Sequence, residues 1–149
     1  MKIVGITGRS GCGKSSATSF LRAQGYPCVD ADLVAREVLL PGSACIPQLQ
    51  AAFGTDIADE NGEVCRRLLA DRAFATPEGT ARLTAITQPE ILRRIDAALA
   101  DAERAGAKLA FVDGAVIVGT PFEQRCDALI LVTAPYDTSV ARICARDDI

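Results

Sequence analysis

Short runs at four places along the chain predict β-strands. Three of the runs are mostly aliphatic or aromatic, the second reads Tyr-Pro-Cys-Val-Asp, and polar or turn-forming residues end them. Runs of this kind, which do not alternate between polar and apolar positions, are typical of parallel strands covered on both faces. The four predicted strands are residues 2–7, 26–30, 109–113 and 128–132.

The segments between these runs carry apolar residues at helical spacing. A polar turn is predicted at residues 59–62, where the sequence reads Asp-Glu-Asn-Gly. Strands that alternate with helices indicate an α/β fold of three layers, a parallel sheet flanked by helices. The predicted helices are residues 16–24, 33–39, 46–53, 64–74, 77–86, 89–105 and 135–145.

The second and third predicted strands are separated by a mostly helical segment, residues 43–106. We interpret residues 1–149 as one domain, with a core at 1–42 and 107–149. The segment 43–106 is then a helical insertion that caps the rim of the sheet, where a bound small molecule could be enclosed. No repeat or low-complexity linker interrupts it.

A glycine-rich segment follows the first strand directly, and residues 8–15 read GRSGCGKS. Its G-x-x-x-x-G-K-S spacing lets successive backbone N–H groups and the next helix N-terminus converge on phosphate oxygens. We expect Lys14 to reach the β- and γ-phosphates and the Ser15 hydroxyl to ligate Mg²⁺. A chance glycine-rich turn is disfavoured, because the motif lies between a strand and a helix, as in phosphate-loop NTPases. The predicted nucleotide-binding residues here are Gly11, Cys12, Gly13, Lys14, Ser15 and Ser16.

Carboxylates follow two of the other predicted strands. Asp30 and Asp32 stand at the end of residues 26–30, and Asp113 ends residues 109–113. Ligands of open α/β sheets bind beyond the carboxyl ends of strands, so these side chains belong to the same rim as the phosphate loop. One of Asp30 and Asp32 is expected to cap the following helix, and spacing does not indicate which. Asp113 is placed to hold Mg²⁺ directly or through water, with a helix or turn cap as the alternative.

Two arginines in the last predicted helix share a helix face. Arg142 and Arg146 are four residues apart, so both guanidinium groups could bind the same phosphate groups. Pairing with Asp137 or exposure to solvent is the alternative, and spacing alone does not separate the two interpretations.

Composition narrows the choice of partners and of chemistry. The chain has 149 residues, a net charge of −3 and no basic cluster, which argues against a nucleic-acid partner. No stretch is apolar over a length that spans a bilayer, and the N-terminus enters a strand at once, so we expect a cytoplasmic protein without a membrane partner. Its six cysteines form no C-x-x-C pair and histidine is absent, which argues against a zinc site and a disulfide framework. Oligomeric state is left open.

These features together resemble the dephospho-coenzyme A kinase family, in the nucleoside-monophosphate-kinase-like group of phosphate-loop proteins. The resemblance covers nearly the whole chain, and the pairing of the phosphate loop with Asp-Ala-Asp and Gly-x-Val-x-Arg makes it specific. The matching residues are Gly8 to Ser15, Val29-Asp30-Ala31-Asp32, Ala35-Arg36, Pro41-Gly42, Gly62-x-Val64-x-Arg66, Leu69, Phe74, Pro89-x-Ile91, Val112-Asp113, Arg142 and Arg146-Asp147.

The resemblance implies transfer of the ATP γ-phosphate, with Mg²⁺, to the ribose 3′-hydroxyl of dephospho-coenzyme A. It implies that Asp32 orients or deprotonates that hydroxyl, and that Asp113 supports the metal or the acceptor. Arg66 is expected to bind substrate. Arg142 and Arg146 stand at the start of what resembles the family's lid and are expected to contact ATP phosphates, with Arg142 counted among the catalytic residues.

The chain departs from the family pattern at three places. The loop carries Arg9, Ser10, Cys12 and Ser16, at positions where the backbone matters more than the side chain. Gln88 stands where the family usually has histidine, and residues 114–119 read GAVIVG in place of a Pro-Leu-Leu-Phe-Glu segment. The contacts that the Pro-Leu-Leu-Phe-Glu segment makes in the family are therefore not assigned to this chain.

Members of the family continue well past the position of Ile149, through the lid, a further strand and a helix. On that resemblance we expect this 149-residue chain to bind ATP, to transfer phosphate poorly and to have an unprotected sheet edge.

Two other functions are alternatives to phosphorylation of dephospho-coenzyme A. The first is another small-molecule kinase, such as a nucleotide or shikimate kinase. The second is a nucleotide-dependent switch, which is disfavoured because the chain has no Asn-Lys-x-Asp segment.

Overall fold

The computed structural model describes residues 1–8, 13–114 and 121–147. Contacts divide the chain into unit 1, Met1–Asp32 with Asp96–Ile149, and unit 2, Leu33–Ile95. The predicted division at residues 43 and 106 stays a prediction.

In chain order the elements are β1 (Lys2–Thr7), α1 (Lys14–Ala23), β2 (Cys28–Asp30), α2 (Ala31–Glu37), α3 (Cys45–Phe53), α4 (Arg66–Ala73), α5 (Pro77–Arg104), β3 (Leu109–Asp113), β4 (Ala128–Leu131) and α6 (Tyr136–Asp147).

Unit 1 is built on a four-stranded sheet in the order β2-β3-β1-β4, with every described pair parallel. Strand β3 lies between β2 and β1 and is the most buried, with Ala110 and Val112 at 0% exposure. A strand covered on both faces accepts apolar residues at consecutive positions, which explains its unbroken run. All four predicted strands are confirmed, and so is the parallel sheet flanked by helices.

Strand β4 forms one edge of this sheet. Among the described strands it pairs with β1 alone, and Leu129, Ile130 and Leu131 are 40%, 44% and 68% exposed. The Asp127 N–H donates to the Ile3 carbonyl at 2.8 Å, and the Asp127 carboxylate accepts from the Ile3 N–H at 2.8 Å. These two bonds fix the start of β4 against β1. Strand β4 is therefore an exposed edge among the described strands.

Unit 2 has its own apolar core. At its centre are five buried side chains from α3, α4 and the segments between α2 and α4, namely Val38, Cys45, Leu49, Ile57 and Leu69. The predicted turn at residues 59–62 is confirmed, with an antiparallel bridge between Ala58 and Val64. The Asp59 carboxylate accepts from the N–H groups of Asn61 and Glu63, at 2.8 and 3.0 Å.

The predicted break before Pro89 was wrong, because residues 77–86 and 89–105 belong to the single helix α5. An internal proline removes one helical hydrogen bond and crowds the preceding turn, which costs about 3 kcal/mol. Leu83 and Ile86 before Pro89, and Ile91 after it, pack against the same core cluster of unit 2. Packing on both sides of the proline offsets that cost, so the helix continues.

The cysteines in the described ranges are free thiols, as predicted, whereas Cys12 lies outside those ranges. They are Cys28, Cys45, Cys65, Cys126 and Cys144. None of the helices described is both long enough and apolar enough to cross a membrane.

Candidate active site

The carboxyl ends of three neighbouring strands of unit 1 gather the predicted site residues. Strand β1 ends at Thr7, and Lys14 begins the next helix. Strand β2 ends at Asp30, directly before the helix that carries Asp32 in its first turn. Asp113 ends β3 and is the register partner of Asp30 in β2 and of Ile6 in β1. Parallel strands place their carboxyl ends at one sheet edge, where ligands of open α/β sheets bind. The sheet order therefore brings Lys14, Asp32 and Asp113 to a common rim.

Asp113 is the electrostatic centre of this rim. It is only 9% exposed, and burial raises the pKa of its carboxyl group. The charge of Asp30 raises this pKa further and that of Asp32 adds a smaller effect, whereas Lys14 and Arg22 lower it. Burial is the largest cause of the raised pKa, and the charges of Lys14 and Arg22 do not cancel the combined effect of burial and the two neighbouring carboxylates. A bound cation would relieve this repulsion.

The side-chain oxygens of Asp113 and Ser15 suit a magnesium ion that arrives bound to a nucleotide. Mg²⁺ in such sites takes one or two protein ligands and completes its shell with phosphate oxygens and water. Within residues 1–8, 13–114 and 121–147, no group of three His, Cys, Asp or Glu side chains is arranged to hold a metal. Asp113 and Ser15 stay the predicted ligands, and Ser15 is exposed at the start of α1.

Gly13 has the backbone conformation that the phosphate-loop prediction requires at its last glycine. Its φ of 102° and ψ of 14° are left-handed, and it occupies the position just before α1 without a side-chain cap bond. Any residue with a Cβ would be strained there. The first N–H groups of α1 are thus not capped by the side chain that precedes them, and N–H groups at a helix N-terminus bind phosphate well. The predicted residues Gly11 and Cys12 lie outside the described ranges.

Arg142 of α6 lies beside this glycine. A Cβ built on Gly13 would be 3.3 Å from Arg142 Nη1, so the guanidinium reaches the start of α1. Arg146 lies about one turn further along α6 and is exposed, like Ser16 in α1. The structure thus brings Arg142 next to the predicted phosphate-binding segment.

The other residues singled out by the sequence are Arg66 and Gln88 of unit 2 and the departing segment 114–119. Arg66 begins α4 and is exposed, and Gln88 is half-buried within α5. Of the departing segment 114–119, only Gly114 is described, and its N–H donates to the Ile6 carbonyl at 3.1 Å.

The sequence analysis did not identify the electrostatic effect of Arg22 on Asp113. This residue lies in the last turn of α1, where its Nη2 donates to the Cys28 carbonyl at 3.5 Å and its charge lowers the pKa of Asp113. No local signal marks it, because its effect depends on the position of α1 against β2 and β3.

Changing Asp113 to asparagine should stabilise the chain in the absence of nucleotide and metal. The folded state binds the proton of such a carboxyl group more tightly than the unfolded state does. The group therefore destabilises the fold as pH rises from its unfolded pKa through its folded pKa. Removing it should raise Tm at pH 7 by about 1–3 °C. The difference should shrink below about pH 4, where the native carboxyl is also neutral.

Thermal unfolding of both proteins in chelator, across this pH range, measures the effect. Asp96→Asn is the matched control, since that aspartate is exposed and pairs with Arg125. A lower Tm for Asp113→Asn at pH 7 would mean that the carboxylate contributes more to the fold than burial and its neighbours cost.

Known proteins that resemble the chain agree on one family. The family model for CoaE, dephospho-CoA kinase, matches residues 2–149. A dephospho-CoA kinase of Corynebacterium efficiens is 36% identical over 143 residues, which are 96% of this chain and 72% of that protein. One from Geobacter metallireducens is 37% identical over 149 residues, covering 100% of this chain and 74% of its own length.

Solved structures give the same picture of the fold. The crystal structure of TT1252 from Thermus thermophilus matches with a TM-score of 0.84 at 32% identity, over 99% of this chain and 73% of that one. A dephospho-CoA kinase from Campylobacter jejuni matches with a TM-score of 0.73 at 21% identity, over 100% of this chain and 75% of its own. At that identity the second likeness supports the fold alone.

Proposed function

The chain belongs to the dephospho-CoA kinase family, and we propose that it phosphorylates dephospho-coenzyme A to coenzyme A with ATP as the donor. The phosphate goes to the ribose 3′-hydroxyl of the acceptor. The observation that carries this proposal is the gathering of Lys14, Asp32 and Asp113 at one edge of the parallel sheet, with Asp113 electrostatically coupled to the other two.

The donor phosphates bind at the start of α1. Gly13 leaves the first N–H groups of this helix uncapped by a side chain, and Lys14 adds a positive charge there. Arg142 lies against Gly13, where its guanidinium can donate to the phosphate oxygens, and Arg146 adds a further charge on α6. The protein's task in phosphoryl transfer is to align the two reactants and to neutralise charge on the transferred group.

A carboxylate orients the acceptor hydroxyl. Asp32 is exposed in the first turn of α2, so its oxygens are accessible to a hydroxyl that it orients and whose proton it accepts. Ser15 and Asp113 would hold Mg²⁺, which supplies positive charge to the donor phosphates when bound. That charge also offsets the repulsion from Asp30 and Asp32, which adds to the effect of burial on the pKa of Asp113.

A coupled assay of ADP release tests this function. The chain is incubated with ATP, Mg²⁺ and either dephospho-coenzyme A, a nucleoside monophosphate or shikimate. The proposal expects ADP release that depends on dephospho-coenzyme A, and a product that carries a phosphate on the ribose 3′-oxygen. Faster release with either of the other acceptors would favour a different small-molecule kinase. ATP hydrolysis without any phosphorylated acceptor would remove the proposed reaction.

A further inference from the structure

The backbone holds the first turn of α1 weakly. The first four N–H groups of a helix have no partner within it. Within the described residues, α1 has neither a side-chain cap bond at Gly13 nor an acidic residue in its first turn. Its first backbone bond, from the Ala17 N–H to the Gly13 carbonyl, is 3.3 Å long. Most such bonds measure about 2.7–3.2 Å. A side chain that restrains this turn would therefore matter for the phosphates proposed to bind there.

Thr18 supplies such a restraint. Its hydroxyl donates to the Ser15 carbonyl at 3.1 Å. Among the ten residues of α1, all of them described, Thr18 alone is buried, at 2% exposure. A helix usually places an apolar residue at its buried position, and a hydroxyl there requires a hydrogen-bond partner. The bond to the Ser15 carbonyl meets this requirement and also holds the peptide group of Ser15.

The backbone of Thr18 contacts the sheet of unit 1 as well. Its carbonyl accepts a weak bond from the Cys28 thiol at 4.0 Å, and Cys28 begins β2, whose last residue is Asp30. Burial raises the pKa of the Cys28 thiol, so the sulfur keeps its proton at neutral pH and can donate it. Thr18 thus connects Ser15 in the first turn of α1 with the strand that leads to the rim.

We propose that Thr18 is a positioning residue for the donor phosphates. Its hydroxyl holds the peptide group of Ser15, so that the Ser15 side chain and the first N–H groups of α1 are ordered before ATP binds. The inference rests on the proposed function, because it takes the start of α1 as the site of the ATP phosphates. Groups that are ordered in advance lose less conformational entropy on binding, which raises affinity. The alternative is a hydroxyl that bonds the Ser15 carbonyl only because it is buried, as threonines inside helices commonly do.

Two substitutions of Thr18 separate the role of its hydroxyl from that of its methyl group. Thr18→Val keeps the branched shape and removes the hydroxyl, whereas Thr18→Ser keeps the hydroxyl and removes a buried methyl group. Calorimetry of the full chain with a non-hydrolysable ATP analogue and Mg²⁺ measures the donor affinity. Thr18→Val should bind the analogue about 3-fold to 10-fold more weakly, the usual loss of one neutral hydrogen bond, with a Tm no lower than that of the parent chain. Thr18→Ser should bind like the parent chain and have a lower Tm, because the lost methyl group leaves a cavity.

In turnover, Thr18→Val should raise the KM for ATP by a similar factor and leave the KM for dephospho-coenzyme A unchanged. Ser19→Ala is the matched control, since it removes an exposed hydroxyl at the next position of α1, and it should bind the analogue like the parent chain. If Thr18→Val binds as tightly as the parent chain, or if Thr18→Ser loses as much affinity as Thr18→Val, the positioning role is overturned and the proposed function stands. If the parent chain neither binds the analogue nor phosphorylates dephospho-coenzyme A, the proposed function fails and this inference fails with it.

Discussion

Replacing Lys14 with alanine should lower the rate of phosphate transfer at least about a hundredfold and leave the fold intact. Lys14 begins α1 directly after the left-handed Gly13, so its ammonium group stands where the donor phosphates are proposed to bind. Charge on the transferred group is neutralised there in the transition state, and a neutral side chain cannot supply that effect. Transfer of label from γ-labelled ATP to dephospho-coenzyme A, with long incubations, detects even slow turnover.

The control for this prediction is Lys108→Ala, which removes an exposed lysine just before β3 in the same unit. It should transfer phosphate like the parent chain. Lys14→Ala should also raise the pKa of Asp113 further, because Lys14 is one of the two cations that lower it. Unaltered transfer in Lys14→Ala would remove the phosphate-binding role from this segment and the kinase mechanism with it.

Most of the fold was predictable because it depends on local patterns. The four strands were recognised as apolar runs, and β3 shows why, since a central parallel strand is buried on both faces. The break before Pro89 was wrong for a non-local reason. A proline is a strong local signal, but Leu83, Ile86 and Ile91 reach one core cluster only when the helix continues through it.

The candidate site was predictable where a residue's role follows from its place on a strand end or in a motif. Lys14, Asp32 and Asp113 were recognised in this way, and the strand order β2-β3-β1 brings their elements side by side.

The sequence left open which of Asp30 and Asp32 is chemically active, and the structure gives them different surroundings. Asp30 ends β2 as the register partner of Asp113, and its charge is the second-largest cause of the raised pKa of Asp113. Asp32 is exposed in the first turn of α2 and has a weaker effect on Asp113. An exposed carboxylate beside the sheet rim is the better candidate to meet a hydroxyl group that arrives with a substrate.

Asp32→Asn should therefore lower kcat by about 10²-fold to 10⁴-fold, with little change in ATP affinity. Asparagine keeps the size and one hydrogen-bond acceptor of the side chain but cannot take the proton of the acceptor hydroxyl. ATP phosphates are proposed to contact Lys14, Arg142 and the start of α1, none of which is altered. Labelled phosphate transfer gives kcat, and calorimetry with a non-hydrolysable ATP analogue gives the donor affinity.

Asp30→Asn is the matched variant, because it makes the same change two residues away in the chain. It removes a negative charge next to Asp113, so it should lower the pKa of Asp113 and raise Tm at neutral pH, with a much smaller loss of kcat. A large loss of kcat in Asp30→Asn, with normal transfer in Asp32→Asn, would reverse the two roles. Asp30 would then be the group that addresses the hydroxyl, and Asp32 would serve as a charged residue at the N-terminus of α2.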